Sequence, residues 1–268
     1  MVRQIVELAL APGLVGAATR IGDRWGQQVA GLMSGLPVVV GPLLLIAAQE
    51  RGLRFAAASA NGVLLGLPTL GGFALAYALA ARRGAPAGLL WGWVTAAALA
   101  AVISLLPMSL SFPAGLIVAA ISLTGSYVLL PRPRGETAGP VATKPTAVLL
   151  RIGVTAALVL TLWAALAVLG PTVGGILAGL PTVVSVLVFF VHRDRGADAA
   201  ESLLRGAVAG MAGFVGFCAV VGWLLTIEGS LPTFLIATAV GVSLQALGQR
   251  RLTRAGRTAP RRTVAPAA

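Results

Sequence analysis

Three Gly-Leu-Pro triplets mark where the backbone of this chain is set up to do chemistry: Gly35-Leu36-Pro37, Gly66-Leu67-Pro68 and Gly179-Leu180-Pro181. Proline removes an N–H donor and clashes with the preceding turn, while glycine lets the chain bend. In an apolar setting the freed carbonyls must find partners, so such breaks line a cavity or are buried in protein. Hydroxyls stand beside all three triplets, at Ser34, Thr69, Thr182 and Ser185. One reading is a substrate path built from Ser34, Gly35, Pro37, Gly66, Pro68, Thr69, Gly179, Pro181, Thr182 and Ser185. The competing reading is structural: kinks and close glycine-mediated helix contacts, with the hydroxyls satisfying the freed backbone.

Ionisable groups for coupling or gating are few. Glu7 is the one acid well inside an apolar stretch, either a proton-coupling group or an interfacial one. Glu50 and Asp194 each sit beside an arginine at a helix end, as loop ion pairs or as gates. Asn61 and Arg205 occupy corresponding places near helix starts; Arg205 can snorkel to the surface or attract anions. His192 has no second histidine to share a metal, and the single Cys218 allows neither an internal disulfide nor a Cys-based metal site. No nucleophile elbow, Walker loop or His-Glu zinc motif is present, so no catalytic residue, metal or cofactor is expected and the chain does not read as an enzyme.

The elements that position these residues follow from composition. The chain has 268 residues, of which 57% are hydrophobic and 10% charged, against about 25% charged in a soluble domain. Such a surface must face lipid, and runs such as Pro86 to Leu106 are apolar throughout, which excludes the alternating strands of a membrane β-barrel. The reading is an all-α polytopic transmembrane helix bundle of about nine spans, near 4–20, 28–48, 55–81, 86–106, 112–130, 147–169, 172–191, 203–226 and 231–249. Residues 132–146 form a polar linker, and 250–268 a basic tail expected to be disordered.

The net charge of +12 points to topology, not to nucleic acid. With nine spans, three of the 20 Lys and Arg residues (Arg3, Arg51 and Arg54) fall on the N-terminal side and 17 on the other. The positive-inside rule then places the C-terminus in the cytoplasm of a cell membrane, with the basic side facing anionic lipids.

The two halves match at an offset of 144 residues. Gly31, Gly35, Leu36, Pro37, Val39, Val40, Leu43, Arg51 and Gly52 recur from Gly175 to Gly196, and Gly62, Gly66, Gly72 and Phe73 recur as Gly206, Gly210, Gly216 and Phe217. The division expected is a first transmembrane repeat over 1–131 and a second over 147–249. Five spans ahead of the second copy would invert it, as in many secondary transporters.

The run from Val29 to Arg83, with Gly31-Leu32-Met33-Ser34-Gly35-Leu36-Pro37 and Leu65-Gly66-Leu67-Pro68-Thr69, resembles the GlpM-like group of small bacterial inner-membrane proteins. Those are roughly half this length, and the stretch from Val173 to Leu225 looks like a poorer copy of the same unit. The resemblance implies a fused duplicate in a bacterial inner membrane and carries over no functional residues. The function expected is a transporter or permease for a small neutral or anionic solute or a lipid head group. The alternative is a non-transporting scaffold or assembly subunit of a cell-envelope pathway. Small-residue helix faces leave room for a homo-oligomer.

Overall fold

The apolar runs fold as helices in the computed structural model, which describes residues 2–38, 40–105, 111–133, 143–158, 160–161 and 181–258. The elements are α1 (Val2–Trp25), α2 (Gln27–Ser34), α3 (Val40–Arg51), α4 (Leu53–Ala80), α5 (Ala85–Ser104), α6 (Phe112–Leu129), α7 (Pro145–Leu158), α8 (Thr182–Glu228) and α9 (Ser230–Thr258). A single 3-10 turn, Ala81–Arg83, joins α4 to α5.

An all-helical membrane bundle is what the composition implied, but the count of nine spans is wrong. Five helices among the described residues are long and apolar enough to cross a bilayer: Leu53–Arg83, Ala85–Ser104, Phe112–Leu129, Thr182–Glu228 and Ser230–Gly248. The error lies in treating each apolar run as one unbroken helix. The run at 28–48 is cut into α2, with 8 residues, and α3, with 12. At 1.5 Å per residue neither approaches the roughly 30 Å of a hydrocarbon core. The runs at 172–191 and 203–226 contribute to one element, α8, bent at Gly196. The run at 147–169 is represented by the short α7, and 162–180 lie outside the described residues. The 24-residue α1 contains Arg3, Glu7, Arg20, Asp23 and Arg24, and is not among the five apolar spans. The expected pair of inverted repeats falls with this count, since it rested on five full spans ahead of the second copy; among the described residues neither repeat nor inversion is shown.

α4 and α8 form the centre. The most apolar windows of these two helices are 56% and 50% buried, against 22%, 17% and 22% for α5, α6 and α9. The outer three therefore turn most of their surface to lipid, with Leu90, Trp91, Ile121, Val128, Leu231 and Leu235 exposed. Inside, Leu64, Phe73, Tyr77, Leu203, Leu204, Phe217, Cys218 and Val221 make the core between α4 and α8. α2 lies along the second part of α8 with its backbone almost in contact. A Cβ at Gly31 would strike the Leu203 carbonyl and Ala207 backbone, one at Gly35 the Gly210 backbone, and ones at Gly206 and Gly210 the carbonyls of Gln28 and Leu32. Only glycines on both helices allow this approach.

Candidate functional site

The three Gly-Leu-Pro triplets do not behave alike. At Gly35-Leu36-Pro37 the helix does stop. The last turn of α2 tightens, with Gly35 N–H donating to the Leu32 carbonyl at 3.1 Å and Leu36 N–H to that of Met33 at 3.2 Å. α3 restarts after Pro37, whose carbonyl accepts from Gly41 N–H at 2.8 Å. The Leu32 carbonyl also receives the side-chain amide of Gln245, a buried residue of α9. That carbonyl thus has two donors, one from its own turn and one from a neighbouring helix. At Gly66-Leu67-Pro68, by contrast, α4 runs through without interruption. Of the third triplet, Gly179 lies outside the described residues, and Pro181 stands just before α8 as its cap, accepting from Ser185 N–H at 2.9 Å.

The hydroxyls bond locally. Ser34 Oγ donates to the Gly31 carbonyl at 2.6 Å, Thr69 Oγ1 to that of Gly66 at 2.7 Å, and Ser185 Oγ to that of Thr182 at 2.8 Å. Each proton goes to the carbonyl three residues earlier in the chain.

The gating candidates separate in the same way. The Glu7 side chain lies outside the described ones, and Glu50 is exposed at the end of α3. Asn61 packs its Oδ1 where a Cβ at Gly115 of α6 would sit. Arg205 donates to the Leu130 carbonyl at 2.6 Å, with its guanidinium 4.6 Å from the centre of the Tyr127 ring. It therefore caps the C-terminus of α6, where a cation suits the helix dipole. Asp194 alone enters a larger constellation.

That constellation forms where the ends of α1 and α4, the start of α7 and the bend of α8 meet. Arg151 of α7 is buried, 2% exposed, and donates through Nη2 to Asp194 Oδ2 at 2.6 Å and through Nη1 to Thr19 Oγ1 of α1 at 3.1 Å. Arg195 is paired with Asp23 of α1, both nearly buried. Asp23 also accepts from the Thr143 backbone N–H at 2.8 Å and its hydroxyl at 2.6 Å. One turn farther along α8, Asp198 and the buried Glu201 meet Arg82, at 2.9 and 3.5 Å. Beside them Tyr77 Oη lies 3.1 Å from His192 Nδ1, both side chains buried. Buried ions of this kind persist only when paired, and breaking one pair leaves the other charge stranded.

Comparison with protein-family models, curated proteins and solved structures returns no match.

The constellation holds four of the chain's eight acidic residues, Asp23, Asp194, Asp198 and Glu201. Of these, sequence reasoning singled out Asp194 alone, and it assigned that residue to a neighbouring arginine and not to Arg151. The available signal was the scarcity of acids, with three of the eight between 194 and 201. At the opposite end of α4, Arg51, Gly52, Leu53, Arg54 and Thr226 line an open depression of about 410 Å³. The two ends of the bundle are thus chemically different: one is clamped by ion pairs, the other is shallow and basic.

Proposed function

We propose that the chain is a membrane transporter or permease for a small solute, in a state closed at the ion-paired end and accessible from the Arg51–Arg54 end. The carrying observation is the helix interrupted between Ser34 and Val40, with a buried glutamine from another helix donating to the Leu32 carbonyl of its last turn beside that turn's own N–H. Discontinuous helices of this sort are how transporters present backbone groups to a solute away from water. The ion pairs join α1, the turn after α4, and α7 to α8, a connection that must loosen for alternating access.

The orientation follows from charge. Arg82, Arg151 and Arg195 share one end, while Arg51 and Arg54 lie at the other. The positive-inside rule then makes the clamped end cytoplasmic, with the C-terminus on that side of an inner membrane and anionic lipids around the basic rim. Kinship with the GlpM-like group belongs to the same proposal.

One observation favours a scaffold instead. The glycine contacts of α2 on α8 leave no space beside Gly31 and Gly35. A proteoliposome swelling assay with a panel of neutral polyols, carboxylates and phosphates separates the two. A transporter passes some members faster than empty liposomes do, and Pro37→Ala and Pro181→Ala change that rate. No passage of any member sinks the transport reading, and equal rates in all three proteins remove the breaks from the mechanism.

A further inference from the structure

Arg151 carries an edge that its partners do not fill. Nη2 donates to Asp194 Oδ2 and Nη1 to Thr19 Oγ1, whereas Nε is buried without a hydrogen-bond partner among the described residues. Thr19 is fixed as an acceptor because its own proton goes to the Val15 carbonyl at 2.8 Å. The Phe190 ring, its centre 5.6 Å from the guanidinium carbon, backs the group. Nε and Nη2 point to the same side of a guanidinium and form the fork that grips a carboxylate or phosphate through two parallel bonds. Asp194 contacts one tooth of that fork.

The two partners are also unequally held. The Arg151 side chain is 2% exposed and tied to α1, whereas the Asp194 side chain is 40% exposed. The cation is therefore the fixed member of the pair, and the carboxylate is the displaceable one. An oxyanion arriving from the aqueous side would exchange one bond for two without leaving the guanidinium uncompensated.

We propose that Arg151 is the docking group for an oxyanion, a carboxylate or a phosphate, which displaces Asp194 from the Nε–Nη2 edge. The inference deepens the transport reading and rests on it for direction: it narrows the solute class to anions. It also supplies a trigger, since releasing Asp194 removes a link between α7 and the bend of α8.

The test uses the full-length protein in phosphatidylcholine nanodiscs, titrated with inorganic phosphate against chloride at matched ionic strength, with unfolding temperature and binding as readouts. Phosphate raises the unfolding temperature of the wild type and chloride does not. Asp194→Asn removes the competing carboxylate and binds phosphate about tenfold tighter, while Arg151→Lys, which keeps charge but loses the fork, binds about tenfold weaker. The double variant Arg151→Gln with Asp194→Asn leaves neither charge buried alone and does not respond to phosphate. If Asp194→Asn fails to fold, the wild type against the double variant decides the matter.

A second arm adds phosphatidylglycerol to the nanodiscs. A lipid phosphate at the edge stabilises the wild type, not the double variant, and blunts the response to free phosphate; a free solute leaves lipid composition without effect. A double variant that keeps the wild-type phosphate response overturns the proposal, as does a wild type that does not respond. Binding that depends on Arg151 without any solute flux would refute transport and leave this assignment standing. Flux of the panel solutes with no phosphate response in the wild type would do the reverse.

Discussion

Gly52 and Gly196 stand 144 residues apart and take nearly the same backbone conformation, φ 92° and ψ 161° at the first, φ 82° and ψ −178° at the second. Gly52 separates α3 from α4, Gly196 bends α8, and each follows an arginine. Their surroundings differ. At Gly52, Glu50 and Arg51 are exposed, Arg51 lies over the Phe55 ring, and the neighbouring surface is an open depression. At Gly196 the flanking Asp194 and Arg195 are tied to Arg151 and Asp23, drawn from α7 and α1. One bend thus serves an open end and the other a clamped one. What separates them is whether other helices bring counter-charges to the acid and base beside the glycine.

The largest effect expected from this contrast comes from the matched acids. Asp194→Ala strands the buried Arg151 guanidinium, and breaking a pair in this way costs on the order of 3–5 kcal/mol. Glu50→Ala removes an exposed carboxylate and should stay within about 0.5 kcal/mol. Reversible unfolding in a denaturing detergent, followed by tryptophan fluorescence, compares the two directly. Equal effects would mean that the clamp does not distinguish the two ends.

That the chain is an all-helical membrane bundle was legible in residue types, because lipid exposure demands apolar runs; the number of spans was not, because a run does not show where its helix is cut. The break at Gly35-Leu36-Pro37 was legible from its own residue types. That α4 passes Pro68 unbroken was not legible, because a triplet does not reveal whether the helix around it is held straight. α4 is packed by α5, α6 and α8 and stays continuous, whereas α2 stops where Gln245 of α9 adds a second donor to a carbonyl of its last turn. The clamp was illegible for a related reason. Arg195 and Asp23 are 172 positions apart, Arg82 and Asp198 are 116, and Arg151 and Asp194 are 43. Periodicity reports neighbours within a few turns, so pairings across such distances need the fold itself.

The glycines provide a smaller and more symmetric effect. An L side chain is disfavoured at a φ near +90°, so Gly52→Ala and Gly196→Ala should each cost about 1–3 kcal/mol from backbone strain alone. Among the described residues no neighbouring atom obstructs a Cβ at either position. The same unfolding assay should therefore give similar values for both. A markedly larger loss at Gly196 would show that bending there is coupled to the ion pairs, which would tie the hinge to the clamp.

The smallest effect belongs to the rim of the clamp. Arg82 meets Asp198 at 2.9 Å, but their side chains are 46% and 31% exposed. Solvent screens a pair of this kind, and such contacts contribute about 0–1 kcal/mol. Arg82→Ala should accordingly lower stability by less than about 1 kcal/mol, and raised salt should shrink the difference further. The informative case is the opposite one. Arg82 also approaches Glu201, a carboxylate 1% exposed on α8, at 3.5 Å. A loss of several kcal/mol that salt does not reduce would mean that this buried acid depends on Arg82, and the clamp would then extend from Arg151 across the bend to the end of α4.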